Sequence, residues 1–448
     1  MSHLKDKEPD SSQDQSQPTG SNKFEIDDNR ENATDSSAAD EAVGWKSPAP
    51  DGGSKAWLTV LGVWCVAFCS FGWINSIGVF QGYYESVLLK DYSATAVSWI
   101  PSLQIFFMFF GGPVVGRIFD LSGPRYILLV GSFLHVFGLM MCSLSHSYYQ
   151  ILLSQGVCSA IGVAAIFQPA ISCLPAWFDK KRGAAFGIAA TGSSIGGIIF
   201  PIMVARLIPQ VGFPWTMRIC AFLILGLLII GNLTVRARFP PNPKTMSRKD
   251  LHEPFTDIKF IFICVGVLFL TFGIFIPINY ITVEALSKGV ASSLAQYLIA
   301  ILNAGSVIGR LGSGALSDKV GVYNIFIFVC LLSAIFILAL WIPASGIGAL
   351  IAFAAIFGCT SGAYVALATP IIAKISPLPQ IGYRTGLLYL FSSIGGLTTN
   401  PIAGAILDKW NGSYTGMKIF SGVLLLVGTA CICVTRLMAT NGKANAIF

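Results

Sequence analysis

The sequence predicts an all-helical membrane protein whose twelve transmembrane helices form two pseudo-symmetric six-helix bundles. Three observations carry this. Of 448 residues, 54% are hydrophobic and only 11% charged, with a mean hydropathy of +0.69, whereas a soluble globule has roughly twice that charged fraction. Apolar stretches of about 20 residues, the length a helix needs to cross hydrocarbon, occur twelve times. The sequence is also internally duplicated. Gly116-Arg117-Ile118-Phe119-Asp120-Leu121-Ser122-Gly123 and Gly314-Ala315-Leu316-Ser317-Asp318-Lys319-Val320-Gly321 share G-x-x-x-D-x-x-G at an offset of 198 residues. Ser193-Ser194-Ile195-Gly196-Gly197 recurs as Ser392-Ser393-Ile394-Gly395-Gly396 at an offset of 199, and Pro201 recurs as Pro401. Two unrelated motifs with nearly one spacing mark a duplicated unit. In a membrane chain that is the signature of a secondary transporter, in which two bundles rock about a central site.

In chain order, residues 1–56 hold twelve of the 22 acidic residues and lack the short apolar core of a signal peptide. They are expected to be a disordered cytosolic tail. Spans at 57–81, 96–116, 126–144, 150–173, 184–205 and 217–235 make an amino-terminal bundle over 57–235. A polar linker over 236–258, with Pro240, Pro241, Pro243 and a basic cluster of Lys244, Arg248 and Lys249, leads to a second bundle over 259–437. Its spans are expected at 259–282, 294–315, 324–341, 347–371, 384–406 and 416–437, and residues 438–448 form a second cytosolic tail. The runs Gly192 to Gly197 and Gly395-Gly396 read as close-packing helix surfaces, and Pro169, Pro201, Pro370 and Pro401 as kinks.

With both termini inside, the inner loops and carboxyl tail hold sixteen Lys and Arg against six outside, so both ends are expected in the cytosol, with the plasma membrane as the site. The net charge of +7 therefore reflects membrane topology. No basic helix with interleaved aromatics argues for nucleic acid. The sequon Asn411-Gly412-Ser413 falls in an external loop and is the expected glycosylation site, whereas those at Asn32 and Asn232 are internal or embedded. All eleven cysteines lie in apolar segments with no C-x-x-C pair. They read as inert core thiols, and neither a metal site nor a cofactor is expected.

Both G-x-x-x-D-x-x-G copies fall on cytosolic loops. There Asp120 and Asp318 can accept from helix N-terminal amides and pair with nearby bases, with Arg117, Arg125, Arg182 and Lys319 at hand. The expected role is a latch that closes one face of the bundle and breaks when that face opens.

These motifs and the twelve-span layout resemble the major facilitator superfamily. Asp51-Gly52-Gly53-Ser54-Lys55-Ala56-Trp57 is similar to the amino-terminal signature of its monocarboxylate-porter family. So is Trp177-Phe178-Asp179-Lys180-Lys181-Arg182-Gly183-Ala184-Ala185-Phe186-Gly187 before the fifth span. Phe71-Gly72-Trp73-Ile74-Asn75-Ser76 with Gly78-Val79-Phe80-Gln81-Gly82-Tyr83-Tyr84 resembles the fungal branch, which includes riboflavin transporters and exporters of secondary metabolites. Two positions depart from the animal proton-linked members. Asn75 stands where they have a lysine, and Ser306 where they have an acid one turn before the arginine retained here as Arg310. The resemblance thus stops short of proton-coupled lactate or pyruvate transport.

Arg310 lies eight residues from Asp318, roughly 12 Å inside the cytosolic boundary at 1.5 Å per residue. A charge there costs at least about 2 to 3 kcal/mol unless it faces water or a partner. The alternatives are that it snorkels or closes a hydrogen-bond network with the latch, or that it binds a substrate carboxylate or other electron-rich group, for which the planar guanidinium fork is suited. Asn75, Gln168, Asn279, Asn303, Ser306, Tyr364 and Tyr389 are the further candidates to line the path, with Gln104, Gln155, Tyr280 and Asn400 behind them. Each of these can instead bridge helices. The family fold favours spans one, four, seven, eight, ten and eleven. Few carboxylates lie within the spans. Glu284 is the nearest candidate to carry a proton, and His135 reads as a satisfied core residue. Facilitated diffusion and coupling through Glu284, His135 or the substrate's own acid stay open.

The expected function is alternating-access transport of a small amphipathic organic molecule with an acidic or polar handle, by a monomer, leaning to efflux of a secondary metabolite. Uptake of riboflavin or a monocarboxylate is the alternative, and a transporter-like nutrient sensor the alternative from another class. No loop carries a Ser-His-Asp or metal-ligand cluster that would make an enzyme.

Overall fold

In hydrocarbon, a chain can satisfy its own peptide groups only by helices or a closed barrel, and the long apolar runs here all take the first route. The computed structural model describes residues 48–240, 248–443 and 446–448. The first half comprises α1 (Ser54–Leu88), α2 (Ala96–Ser122), α3 (Arg125–Cys142), α4 (Tyr148–Trp177) and α5 (Arg182–Thr234). A short helix, α6 (Arg248–Thr256), precedes the second half. That half comprises α7 (Ile258–Ser287), α8 (Ser292–Val320), α9 (Val322–Trp341), α10 (Ile347–Ile375), α11 (Leu378–Lys409) and α12 (Thr415–Ala439).

Among the described residues eleven helices are long and apolar enough to cross a bilayer, because the expected fifth and sixth spans are joined. At Gly212 the backbone takes φ 76 and ψ 166 inside the 53-residue α5. This conformation is essentially confined to glycine. It turns the chain sharply, so two legs, 182–211 and 213–234, cross in sequence with no polar loop between them, and the twelve-span architecture holds.

The expected tail over 1–56 lies outside the described residues as far as position 47, but its last residues are ordered. Asp51 Oδ1 accepts from the amides of Asp179 (2.7 Å) and Lys181 (3.1 Å), and Asp51 N donates to Trp177 O at 3.1 Å. These bonds pin the entrance of α1 to the α4–α5 corner. The linker also carries more structure than a connector requires. α6 lies against the start of α11, where Glu253 and Asp257 each approach the Arg384 guanidinium at 3.4 Å and Tyr383 donates to Leu251 O at 3.3 Å. Lys244 falls outside the described residues.

Two seams join the halves, α5 on α8 and α2 on α11. Both are glycine-lined. A Cβ on Gly116 would lie 2.0 Å from Gly382 O, and one on Gly183 would lie 2.5 Å from Gly314 O, so any larger residue would pry the halves apart. The seams lie toward the end of the molecule that carries Asp120 and Asp318, here called the motif end.

The Gly212 turn yields a paired expectation. Gly212→Ala forces an alanine into a left-handed conformation and should destabilise by about 1–3 kcal/mol. Gly226→Ala, in the second leg with nothing within 4 Å of the added methyl, should stabilise by up to about 1 kcal/mol through helix propensity. Thermal unfolding in detergent reads both, and equal effects would contradict this account of the turn.

Candidate functional site

Between the halves lies a cavity of about 1190 Å³. Its walls run from Gln81 and Glu85 of α1, Trp99 of α2, Arg206 of α5 and Leu286 of α7, all toward the end opposite the motifs, down to Arg310, Ser193 and Tyr389. Trp99 and Leu286 are exposed, whereas the floor rests on the two seams. The cavity therefore opens away from the motif end.

One side of the floor is polar. Helical periodicity puts Asn303, Ser306 and Arg310 of α8 on one face, opposite Ser193, Ser194 and Gly197 of α5. Arg310 Nε donates to Ser306 Oγ at 3.0 Å, and Ser194 Oγ donates to Ser306 Oγ at 2.9 Å. Arg310 Nη1 donates across the seam to Ala190 O and Ser193 Oγ. Its other terminal nitrogen, Nη2, makes no hydrogen bond among the described residues, and no described ion pair includes Arg310, although the residue is only 6% exposed. A buried cation with no acid beside it is costly. One arm of Arg310 is thus tied across the seam, while Nη2 stays at the cavity floor. Above it, Asn75 and Asn303 converge over Gly197, where a Cβ would lie 2.8 Å from Asn75 Nδ2 and 2.7 Å from Asn303 Oδ1.

Asn279 and Tyr280 of α7 reach α11, donating to Asn400 Oδ1 at 2.8 Å and Asn400 O at 3.1 Å. Tyr364 and Tyr389 also line the cavity. Gln168 is not among the lining residues. One position beyond the cavity-facing Phe167, it turns about 100° away around α4 and donates to Gly382 O at 3.0 Å, inside the α2/α11 seam. The aromatic side chains Phe71, Phe109 and Phe167 line the floor; none is a site candidate in the sequence, where Phe71 stands only within a family-like motif and nothing distinguishes Phe109 and Phe167 from other apolar positions.

Below the floor the two motif carboxylates hold the seams. Asp120 accepts from Gly382 N (2.9 Å) and Tyr383 N (2.8 Å) at the start of α11. Asp318 accepts from Gly183 N (2.7 Å) and Ala184 N (2.9 Å) at the start of α5. Each carboxylate thus caps the first turn of a helix in the other half, where free amides and the helix dipole favour an anion. The expected pairing with basic side chains is corrected in this respect. Arg182 bonds Asp179 at 3.1 Å, and Arg117, Arg125 and Lys319 take part in no ion pair among the described residues. The amides already occupy both carboxylates.

The candidate proton carriers stand apart from the cavity lining. Glu284 is 1% exposed and is enclosed by Lys418 Nζ (2.6 Å), Lys288 Nζ (2.8 Å) and Trp341 Nε1 (2.7 Å). His135 is buried, with Ser159 Oγ 2.9 Å from Nδ1 and Cys69 O 3.0 Å from Nε2. Asn411 is exposed at φ 51 in the turn between α11 and α12, at the end away from the motifs.

A model of the Major Facilitator Superfamily matches residues 61–278 and 261–446. The MFS transporter asaE of Aspergillus flavus is 59% identical over 396 residues, 88% of this chain and 89% of that protein. The Fujikurins efflux protein of Gibberella fujikuroi is 50% identical over 421 residues, 94% of this chain and 90% of that protein. Among solved structures, the human organic anion transporter MFSD10 is similar in fold, with a TM-score of 0.67 at 13% identity over 85% of this chain and all of that one.

The capping geometry predicts local opening when a carboxylate is removed. An N-cap contributes about 0.5–2 kcal/mol, so Asp318→Ala should speed amide exchange at Gly183 and Ala184 roughly tenfold, and Asp120→Ala should do the same at Gly382 and Tyr383. Hydrogen-exchange mass spectrometry measures both. Unchanged protection would mean the carboxylates do not hold these turns.

Proposed function

The chain belongs to the Major Facilitator Superfamily and is a multi-pass membrane transporter of small organic solutes, and from that premise we propose that it exports an amphipathic organic acid of secondary metabolism by alternating access. The observation that carries the reading is the floor of the cavity: a guanidinium with one arm free and, among the described residues, no acidic partner. That arrangement favours an anion and disfavours a cation, which would meet an uncompensated positive charge in a region of low dielectric. The efflux role in the name of the Fujikurins efflux protein, at 50% identity over 94% of this chain, supports export over uptake of riboflavin or a monocarboxylate.

In this reading Arg310, Asn75, Asn303, Ser306, Asn279, Tyr364 and Tyr389 meet the substrate, and Gln168 acts through the seam. The motif end faces the cytosol, both termini are cytosolic, and the conformation described is open to the outside. Asp120 and Asp318 are the inner gate, and the four hydrogen bonds they accept from main-chain amides must break before substrate can load. Arg117, Arg125, Arg182 and Lys319 flank that gate and receive the carboxylates once they are released. The protein works as a monomer in the plasma membrane, within the fungal branch of the monocarboxylate-porter family that Asp51 to Trp57 and Trp177 to Gly187 resemble, and Asn411 can carry an external glycan. Glu284 and His135 are engaged away from the cavity, and in this reading any coupled proton travels on the substrate's own carboxyl or on Glu85 of the cavity wall.

Flux into inside-out vesicles tests the assignment. A charged hydrogen bond contributes about 1.5–3 kcal/mol. Arg310→Gln should therefore lower transport of a carboxylate by at least about tenfold while changing that of its neutral amide analogue less than about twofold. Equal losses for the two would reduce Arg310 to a seam residue, and unchanged flux of both would remove it from the site.

A further inference from the structure

The two seams are related by the internal duplication, yet the cavity walls directly above them differ. The 199-residue offset carries Ala190, whose carbonyl receives Arg310, onto Tyr389, and the 198-residue offset carries Arg310 onto Gly112. Where the α5/α8 seam is topped by a cation and hydroxyls, the α2/α11 seam is topped by rings.

Four of them, from four helices, form a connected group. Phe71 lies 4.7 Å from Phe167 with the planes at 75°, and 5.7 Å from Phe109. Tyr389 lies 5.5 Å from Phe109 with the planes at 25°, and 5.8 Å from Phe167. These separations fall in the range in which aromatic pairs attract through their quadrupoles. All four line the cavity. Phe109, Phe167 and Tyr389 keep only 5%, 7% and 9% of their surface exposed. The Tyr389 hydroxyl is 3.0 Å from Thr369 Oγ1, so its polar end is engaged within its own half while its ring packs on Phe109 and Phe167 of the other. Leucine would serve burial as well. Rings held this way add rigid π-faces at low conformational cost.

We infer that Phe71, Phe109, Phe167 and Tyr389 form a ring-binding subsite that selects a planar conjugated system, carried on the same molecule whose acidic group meets Arg310. The inference rests on the assignment of the cavity to organic acids and narrows it to aromatic or conjugated acids. Tyr389 is the specificity element contributed by the second half, and Phe71, Phe109 and Phe167 those of the first.

Equilibrium binding to the full chain in nanodiscs tests this with two probes of equal charge and carbon skeleton, 2-naphthoate and decahydronaphthalene-2-carboxylate. The parent should bind 2-naphthoate about tenfold more tightly. Tyr389→Leu and Phe167→Leu should each weaken 2-naphthoate about fivefold and leave the saturated acid within twofold. Tyr389→Phe should keep the preference, and Arg310→Gln should weaken both probes alike. Equal affinity of the parent for the two probes overturns the ring subsite without any variant, and so does a leucine variant that weakens both equally. Failure of the parent to bind either probe would instead remove the organic-acid reading beneath it.

Discussion

Two carboxylates, each accepting a pair of amides from the first turn of a helix in the opposite half, hold the motif end together, and the rest of the arrangement follows from them. The first turn of a helix has amides without intrahelical partners and the positive end of the dipole. Asp120 and Asp318 supply acceptors there, while glycines let the backbones come close enough for the bonds to form. Because the contact is backbone to backbone at Gly116/Gly382 and Gly183/Gly314, the seams are tight but shallow. The cavity begins immediately above them, and its floor inherits whatever side chains the first turn beyond each seam presents. Arg310 over one seam and Tyr389 over the other are therefore placed by the closure itself.

The same arrangement explains why a buried arginine can be retained. Its Nη1 and Nε are received by Ala190 O, Ser193 Oγ and Ser306 Oγ, so most of its donors are satisfied by neutral acceptors that solvate the charge without cancelling it. A partner carboxylate would have made the site stable and closed to anions. Glu284 illustrates the contrast. Two lysines and an indole surround it, and it stands apart from the cavity as part of the frame joining α7, α9 and α12.

Much of this was legible in the sequence, and the reasons are physical. Lipid removes the competition between backbone and water, so the apolar runs report helices directly. A duplicated motif reports a duplicated body, and the position of Arg310 eight residues from Asp318 reported its depth. What was missed depended on geometry that local pattern does not encode. Gly212 looks like an interruption between two spans, but its positive φ removes the need for a loop. Gln168 and Phe167 are adjacent and differ only in which side of α4 they occupy. That Asp120 and Asp318 accept from helix N-terminal amides was legible, but which helices supply them, each in the opposite half, was not. The four rings come from α1, α2, α4 and α11; three pack together within the first half, and Tyr389 joins them only when the halves meet.

The unmatched charge of Arg310 also has an electrical consequence. For an exporter of anions, the loaded carrier is neutral at its centre, and the empty carrier holds one positive charge there. An inside-negative voltage then acts on the return stroke, drawing the vacant site toward the cytosol. The gain is at most about 2.3 kcal/mol per 100 mV, scaled by the fraction of the field the guanidinium traverses. A turnover that rises with imposed voltage is the signature of such a cycle, in which the membrane itself resets the protein and no co-transported ion is required.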